Sequence, residues 1–234
     1  MRAQPISPPL LVEHLADRIV ELADKSAESA ESAGSAESAE SAESGGTSRE
    51  MWTRVAFDGS PAAQPERVAG ELVSALRLRG RPALHVSAWD YLRPASLRLE
   101  FGRSDPDVFY TEWLDAKALF REVFGPLEDG GDGRVLPALW DAAADRAGRA
   151  GYVDLPPGGV LLLSGTFLLS RALPFDLAVH FWMTAAALAR RTPPDEQWTL
   201  PAYARYEDEI DPVRSADITV RCDDPARPAL VSDL

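Results

Sequence analysis

The chain has 234 residues, 45% of them hydrophobic, and a net charge of −13. That length holds one full α/β domain and a short appendage but not two complete cores, and the acidic balance argues against general binding to nucleic acid or to an anionic membrane surface. Cys222 is the lone cysteine, which excludes an intrachain disulfide or a cysteine zinc cluster and points to a buried thiol in a reducing, cytoplasmic setting.

Residues 1–25 carry the first element. After Ser7-Pro8-Pro9, the apolar residues Val12, Leu15, Ile19 and Leu22 recur at helical spacing opposite Glu13, Asp17 and Glu21. This amphipathic helix has to dock, either as a clasp on its own domain or on a protein partner or second copy. Residues 26–50 follow, opening with the repeat SAESAESAGSAESAESAES. With alanine as its only apolar material and glutamates of one sign three apart, the stretch buries no core and is expected to be a disordered linker. Its five glutamates account for five of the excess negative charges, so residues 51–234 are only moderately acidic. No apolar run reaches the roughly 18–20 residues needed to span a bilayer, and no membrane role is expected.

From Trp52 onward, short apolar runs alternate with helical stretches. That is the pattern of a doubly wound, mostly parallel sheet covered on both faces. Strands are expected at 54–57, 83–87, 160–163, 177–181 and 218–221, giving five in all. Helices are expected at 65–79, at 108–124 with a break near Asp115, at 185–191 and around 202–209. His85 and His180 fall inside strands and read as packing residues, His14 is isolated, and Asp58 reads as a strand-end residue supporting the turn that follows it.

That turn, in RVAFDGSPAAQPERVAGEL, has the strand, turn and helix layout of a phosphate-binding loop. In the pattern GxxxxGK[ST], backbone N–H groups and a helix N-terminus receive phosphate. With Gly59 as the first glycine, Gln64 stands at the second, Pro65 at the lysine and Glu66 at the magnesium-binding hydroxyl. Pro65 removes a donor and a cation, and Glu66 puts a carboxylate beside the intended anion. The same two residues are good helix starters, so the local fold is expected to outlast the anion site.

Over nearly all of residues 52–230 the sequence resembles the actinobacterial uridine kinase-like branch of the P-loop nucleoside kinases. The carriers are RVAFDG, VSAWDYLRPASLRLEFG, FYTEWLDAKALFREVFGPLEDGGDGR, VLLLSGTFLL, ALARR and DITVRCDDPARP, in that order. The resemblance implies the P-loop NTPase fold, with ATP and Mg as cofactors and a nucleoside as substrate where activity persists. The functional positions depart from it. Trp89 stands where the family has an aspartate, with Asp90 next; Ser164 stands before Gly165 in place of an acid; and Trp140, Asp141 and Ala142 replace a triplet that carries a histidine.

Two readings of the site follow, beside a third in which the chain is a structural or assembly module acting through its tethered N-terminal helix. One is a P-loop-fold protein with a degenerate phosphate site that binds a small molecule or a partner, with phosphoryl transfer lost or much reduced. The other is an active uridine or nucleoside kinase that has rebuilt its site. On either, Asp90 is the catalytic candidate, at the carboxyl end of a strand where ligands of open α/β sheets collect. Gly59, Ser60, Arg93, Arg190, Arg191 and Arg205 are the phosphate or nucleotide candidates, since guanidinium groups grip phosphate in bidentate fashion. Tyr91, Tyr110, Trp140 and Asp141 are the substrate-pocket candidates, although Phe109, Tyr110 and Trp113 at helical spacing also suit an aromatic core stripe. No metal cluster is expected from the sequence.

Overall fold

The computed structural model of the chain describes residues 2–37 and 52–232. Five parallel strands form its centre: β2 (Thr53–Gly59), β3 (Ala83–Ser87), β4 (Val160–Gly165), β5 (Leu177–Trp182) and β6 (Ile218–Arg221). The sheet has seven strands rather than five. β1 (Arg2–Pro5) and β7 (Ala229–Ser232) add antiparallel to the β6 edge, giving the order β1-β7-β6-β5-β2-β4-β3. The physical reason for the difference is plain in β1, a four-residue exposed edge strand with no alternating apolar pattern to announce it.

Period-two alternation sorts the central strands between two cores. Val55 and Phe57 of β2, Val160 and Leu162 of β4, and Leu177, Val179 and Phe181 of β5 enter the first core. Ala56, Leu161, Leu163 and Ala178 enter the second. On the first face lie α1 (Pro8–Glu37) and α2 (Pro65–Leu78). Leu11, Leu15, Ala16 and Ile19 of α1 are buried in that core, each large side chain contributing about 1.5–3 kcal/mol. Ion pairs from Arg79 to Glu13 and Asp17, and from Arg81 to Asp24, tie α1 to the end of α2 and the turn after it. The apolar face of α1 is thus covered within the chain.

The helix also runs on to Glu37, through part of the stretch expected to be a disordered linker. The remainder of that expected linker, residues 38–50, lies outside the described residues. The second face carries residues 118–127, while Phe109 and Tyr110 before them join a third cluster with Phe167, Ala202 and Tyr206. α3 (Pro106–Glu112) starts at Asp105, whose Oδ1 accepts from the N–H groups of Asp107 and Val108. Asp115 then caps the short turn Ala116–Leu119 through the Ala118 N–H, which places the break at the residue where the sequence suggested it. α4 (Ala185–Arg191) and α5 (Leu200–Ile210) close over the carboxyl ends of the strands. Among the described residues, no helix is long and apolar enough to cross a membrane.

Candidate functional site

The central strand β2 ends at Asp58 and Gly59, beside the point where the strand order reverses and a crevice opens. β5 passes so close that a Cβ on Gly59 would sit 2.9 Å from the Phe181 carbonyl oxygen, so glycine is required there. The chain then makes a short turn over Pro61–Ala63 and passes through Gln64 in the left-handed region, at φ 61°, into α2. A left-handed non-glycine residue costs about 1–2 kcal/mol. Gln64→Gly is therefore expected to stabilise the fold by about 0.5–1 kcal/mol after its own entropic cost, measured as a rise in the urea midpoint at constant slope.

The backbone donors of this turn are largely committed. Pro61 and Pro65 carry no N–H. Ala63 and Gln64 donate to the carbonyls of Ser60 and Pro61 at 2.9 and 3.0 Å. Glu66, in the first turn of α2, raises the pKa of Asp90 through its charge, behind burial as the larger cause and ahead of Asp141.

Behind the turn sits a buried polar cluster. The register pairs Asp58 directly with His180 of β5, and both follow an alanine two residues earlier, so they emerge on the same face. Asp58 is fully buried and accepts from the Leu168 N–H at 2.8 Å, the Tyr206 hydroxyl at 2.9 Å and His180 Nδ1 at 2.7 Å. The first of these bonds holds the turn after β4, where Phe167 lies at φ 61°. Burial alone would pull the His180 pKa down; the hydrogen bond to Asp58 and the charges of Asp58 and Glu207 outweigh it and lift the imidazole to about 9. The carboxylates of Asp58 on Nδ1 and of Glu207 beyond Nε2 both favour the protonated ring. Its Nε2 is buried without a hydrogen-bond partner, 3.8 Å from the Glu207 carboxylate.

Two cavities open above Ser60. One of about 550 Å³ has His180 and Glu207 in its wall beside Phe181, Met183, Leu188 and Tyr203. The other, of about 530 Å³, is walled by Trp89, Phe109, Trp113, Trp198 and Tyr203, with Arg191 and Glu196 at its rim. Ser60 and Tyr203 belong to both. Phe109 is the hub of the aromatic group, stacked on Trp89 with ring centroids 6.4 Å apart and edge-on to Trp113 and Trp198 at 5.0 and 5.6 Å.

The candidate residues scatter relative to these cavities. Gly59 and Ser60 line the first, and the buried Ser60 hydroxyl points to Met183 Sδ at 3.7 Å. Asp90 lies half-buried in the turn after β3 and is in the wall of neither cavity. Tyr91, expected to line a substrate pocket, is fully buried in the second core with its hydroxyl donating to the Leu136 carbonyl. Tyr110 is likewise buried, edge-on to Phe167, with the Arg205 guanidinium over its ring. Trp140 and Asp141 form one side of a short hairpin, where Asp141 caps the turn through the Ala143 and Ala144 N–H groups. Arg93 pairs with Glu112, Arg191 with Asp224, and Arg205 with Asp107 and Glu209. Arg190 is exposed at the end of α4. None of these four arginines lines the cavity at Gly59, and Arg191 lines the one that shares Ser60.

Asp58, His180, Tyr206 and Glu207 were not singled out by sequence reasoning as site residues. A polar residue at the carboxyl end of each apolar run is the only signal, and strand order is needed to put them side by side. Among the described residues, no group of three or more His, Cys, Asp or Glu side chains could hold a metal ion.

A five-stranded parallel core, with a tight turn and helix after its central strand and helices over the strand ends, defines the α/β fold of the P-loop kinases. Solved structures sharing it include a candidate uridine kinase from Bacillus stearothermophilus, at 16% identity and a TM-score of 0.56, covering 74% of this chain and 90% of that one. A candidate fructose transport system kinase from Silicibacter sp. TM1040 matches at 18% identity and a TM-score of 0.52, covering 89% of this chain and 98% of the other. The YGR205w protein matches at 13% identity and a TM-score of 0.50, with 78% and 91% covered. No family model matches the chain, and no curated protein matches its sequence.

Proposed function

We propose that this chain is a small-molecule-binding protein built on a P-loop kinase fold, and that ATP-dependent phosphoryl transfer is lost from it. The observation that carries this reading is the wall of the cavity directly above Gly59 and Ser60. It is apolar and aromatic, and its charged members are His180 and Glu207, with no lysine or arginine among the described lining residues. Phosphoryl transfer rests almost wholly on positioned positive charge around the phosphates and metal. The turn fits MgATP poorly: two of its positions are prolines, two of its N–H groups are bonded within the turn, and Glu66 opens the helix that follows. Arg93, Arg191 and Arg205 are each already paired with a carboxylate, Arg191 at the rim of the second cavity.

The test is calorimetric titration of the full chain with MgATP, uridine and GTP, followed by a radiolabelled phosphate-transfer assay. No saturable nucleotide binding at millimolar concentration and no transfer are expected. Saturable, magnesium-dependent ATP binding with transfer to uridine would overturn the proposal in favour of an active nucleoside kinase.

A further inference from the structure

We infer that the His180–Glu207 pair at the floor of the larger cavity is a binding site for a neutral molecule with an apolar body and a hydroxyl or amide head. The inference rests on the binding role proposed above and names the ligand class for it.

His180 Nδ1 is already engaged by Asp58, which is itself saturated by Leu168 and Tyr206. Only Nε2 is left, and it is a buried donor with no partner in the wall of a cavity. Such an atom is costly to leave unpaired. Glu207 lies too far to satisfy it, at 3.8 Å, and belongs to the same wall. Thr219, the other strand neighbour of His180, brings no charge. A group that accepts from Nε2–H and donates to Glu207 completes both, since one atom can sit about 2.8 Å from each. An alcohol oxygen does this alone, and an amide does it with its carbonyl and N–H.

Charge selects among the alternatives. Asp58, Glu207 and protonated His180 sum to one excess negative charge, which disfavours an anion. The imidazolium disfavours an ammonium at Nε2. Phe181, Met183, Leu188 and Leu200 supply apolar contact for the rest of the ligand.

The experiment uses one apolar body with five heads on the full chain: ethylbenzene, 2-phenylethanol, phenylacetamide, phenylacetate and 2-phenylethylamine. Binding is followed by NMR through the His180 imidazole signals, one of three histidines to assign. The alcohol and amide are expected to bind about tenfold tighter than the other three, the difference of one charge-assisted hydrogen bond, and to shift the His180 signals. Glu207→Gln, a half-exposed position, is expected to improve phenylacetate binding by about tenfold as a repulsive charge is removed. Ethylbenzene, phenylacetate or the amine binding as tightly as the amide would overturn the inference, as would an unmoved phenylacetate affinity in Glu207→Gln. ATP turnover would instead sink the binding role itself, whatever the series shows.

Discussion

Asp58→Ala is expected to destabilise the fold by about 3–5 kcal/mol, the cost of breaking a buried charged pair by removing one member. Asp58 is the shared acceptor of three donors, from Leu168, Tyr206 and His180. Without it the imidazole can shed its proton, which limits the electrostatic part of the loss. The Tyr206 hydroxyl and the Leu168 N–H have no such escape, and each stays buried without its acceptor. The turn holding Phe167 in the left-handed region is released at the same time. Urea unfolding at neutral pH measures the loss directly. A loss below about 1 kcal/mol, the level of a surface pair, would mean that water reaches the cluster and that its burial carries little energy.

The second large effect is a dependence of stability on alkaline pH. His180 has an ordinary value of 6.5 and is lifted to about 9 in the folded chain. A raised value means that the folded state holds its proton more tightly than the unfolded state. The stabilisation is therefore complete below pH 6.5 and is lost as pH rises through 9. The difference corresponds to about 3 kcal/mol. Raising the pH from 6.5 towards 9 should lower the urea midpoint progressively, and His180→Gln should flatten the profile over that window even if its baseline stability is lower. A wild-type profile already flat there would mean a neutral His180, leaving Nε2 as an acceptor rather than a donor.

Much of the fold was legible because its elements are locally overdetermined. The five parallel strands are continuous apolar runs between turn residues, and Asp115 is a good cap at the point where the helical pattern breaks. The short pairings Arg134–Val135 with Val153–Asp154, and Trp140–Asp141 with Arg146–Ala147, were not legible. Two residues are too few to carry a period. The crevice itself could be anticipated from the strand ends, but its chemistry could not. Asp58 and His180 are 122 residues apart, and they meet because β5 rather than β4 lies on the His180 side of β2. Tyr91 illustrates the converse: its place after a strand end suggested a ligand contact, while its ring fills the second core.

The single cysteine gives the molecule a built-in clock. Cys222 follows β6 directly, packs in the same core as Phe181 and Met183, and donates its backbone N–H to the Trp182 carbonyl at 2.7 Å. Burial pushes the thiol up to about 12, so in the closed protein it is protonated and shielded. An alkylating reagent can therefore react only when the sheet opens locally at the end of β6, and the labelling rate counts those openings. An occupant of the kind proposed, resting on Phe181 and Met183, would slow those openings, converting occupancy of the cavity into a delay at a sulfur atom that the occupant need not touch.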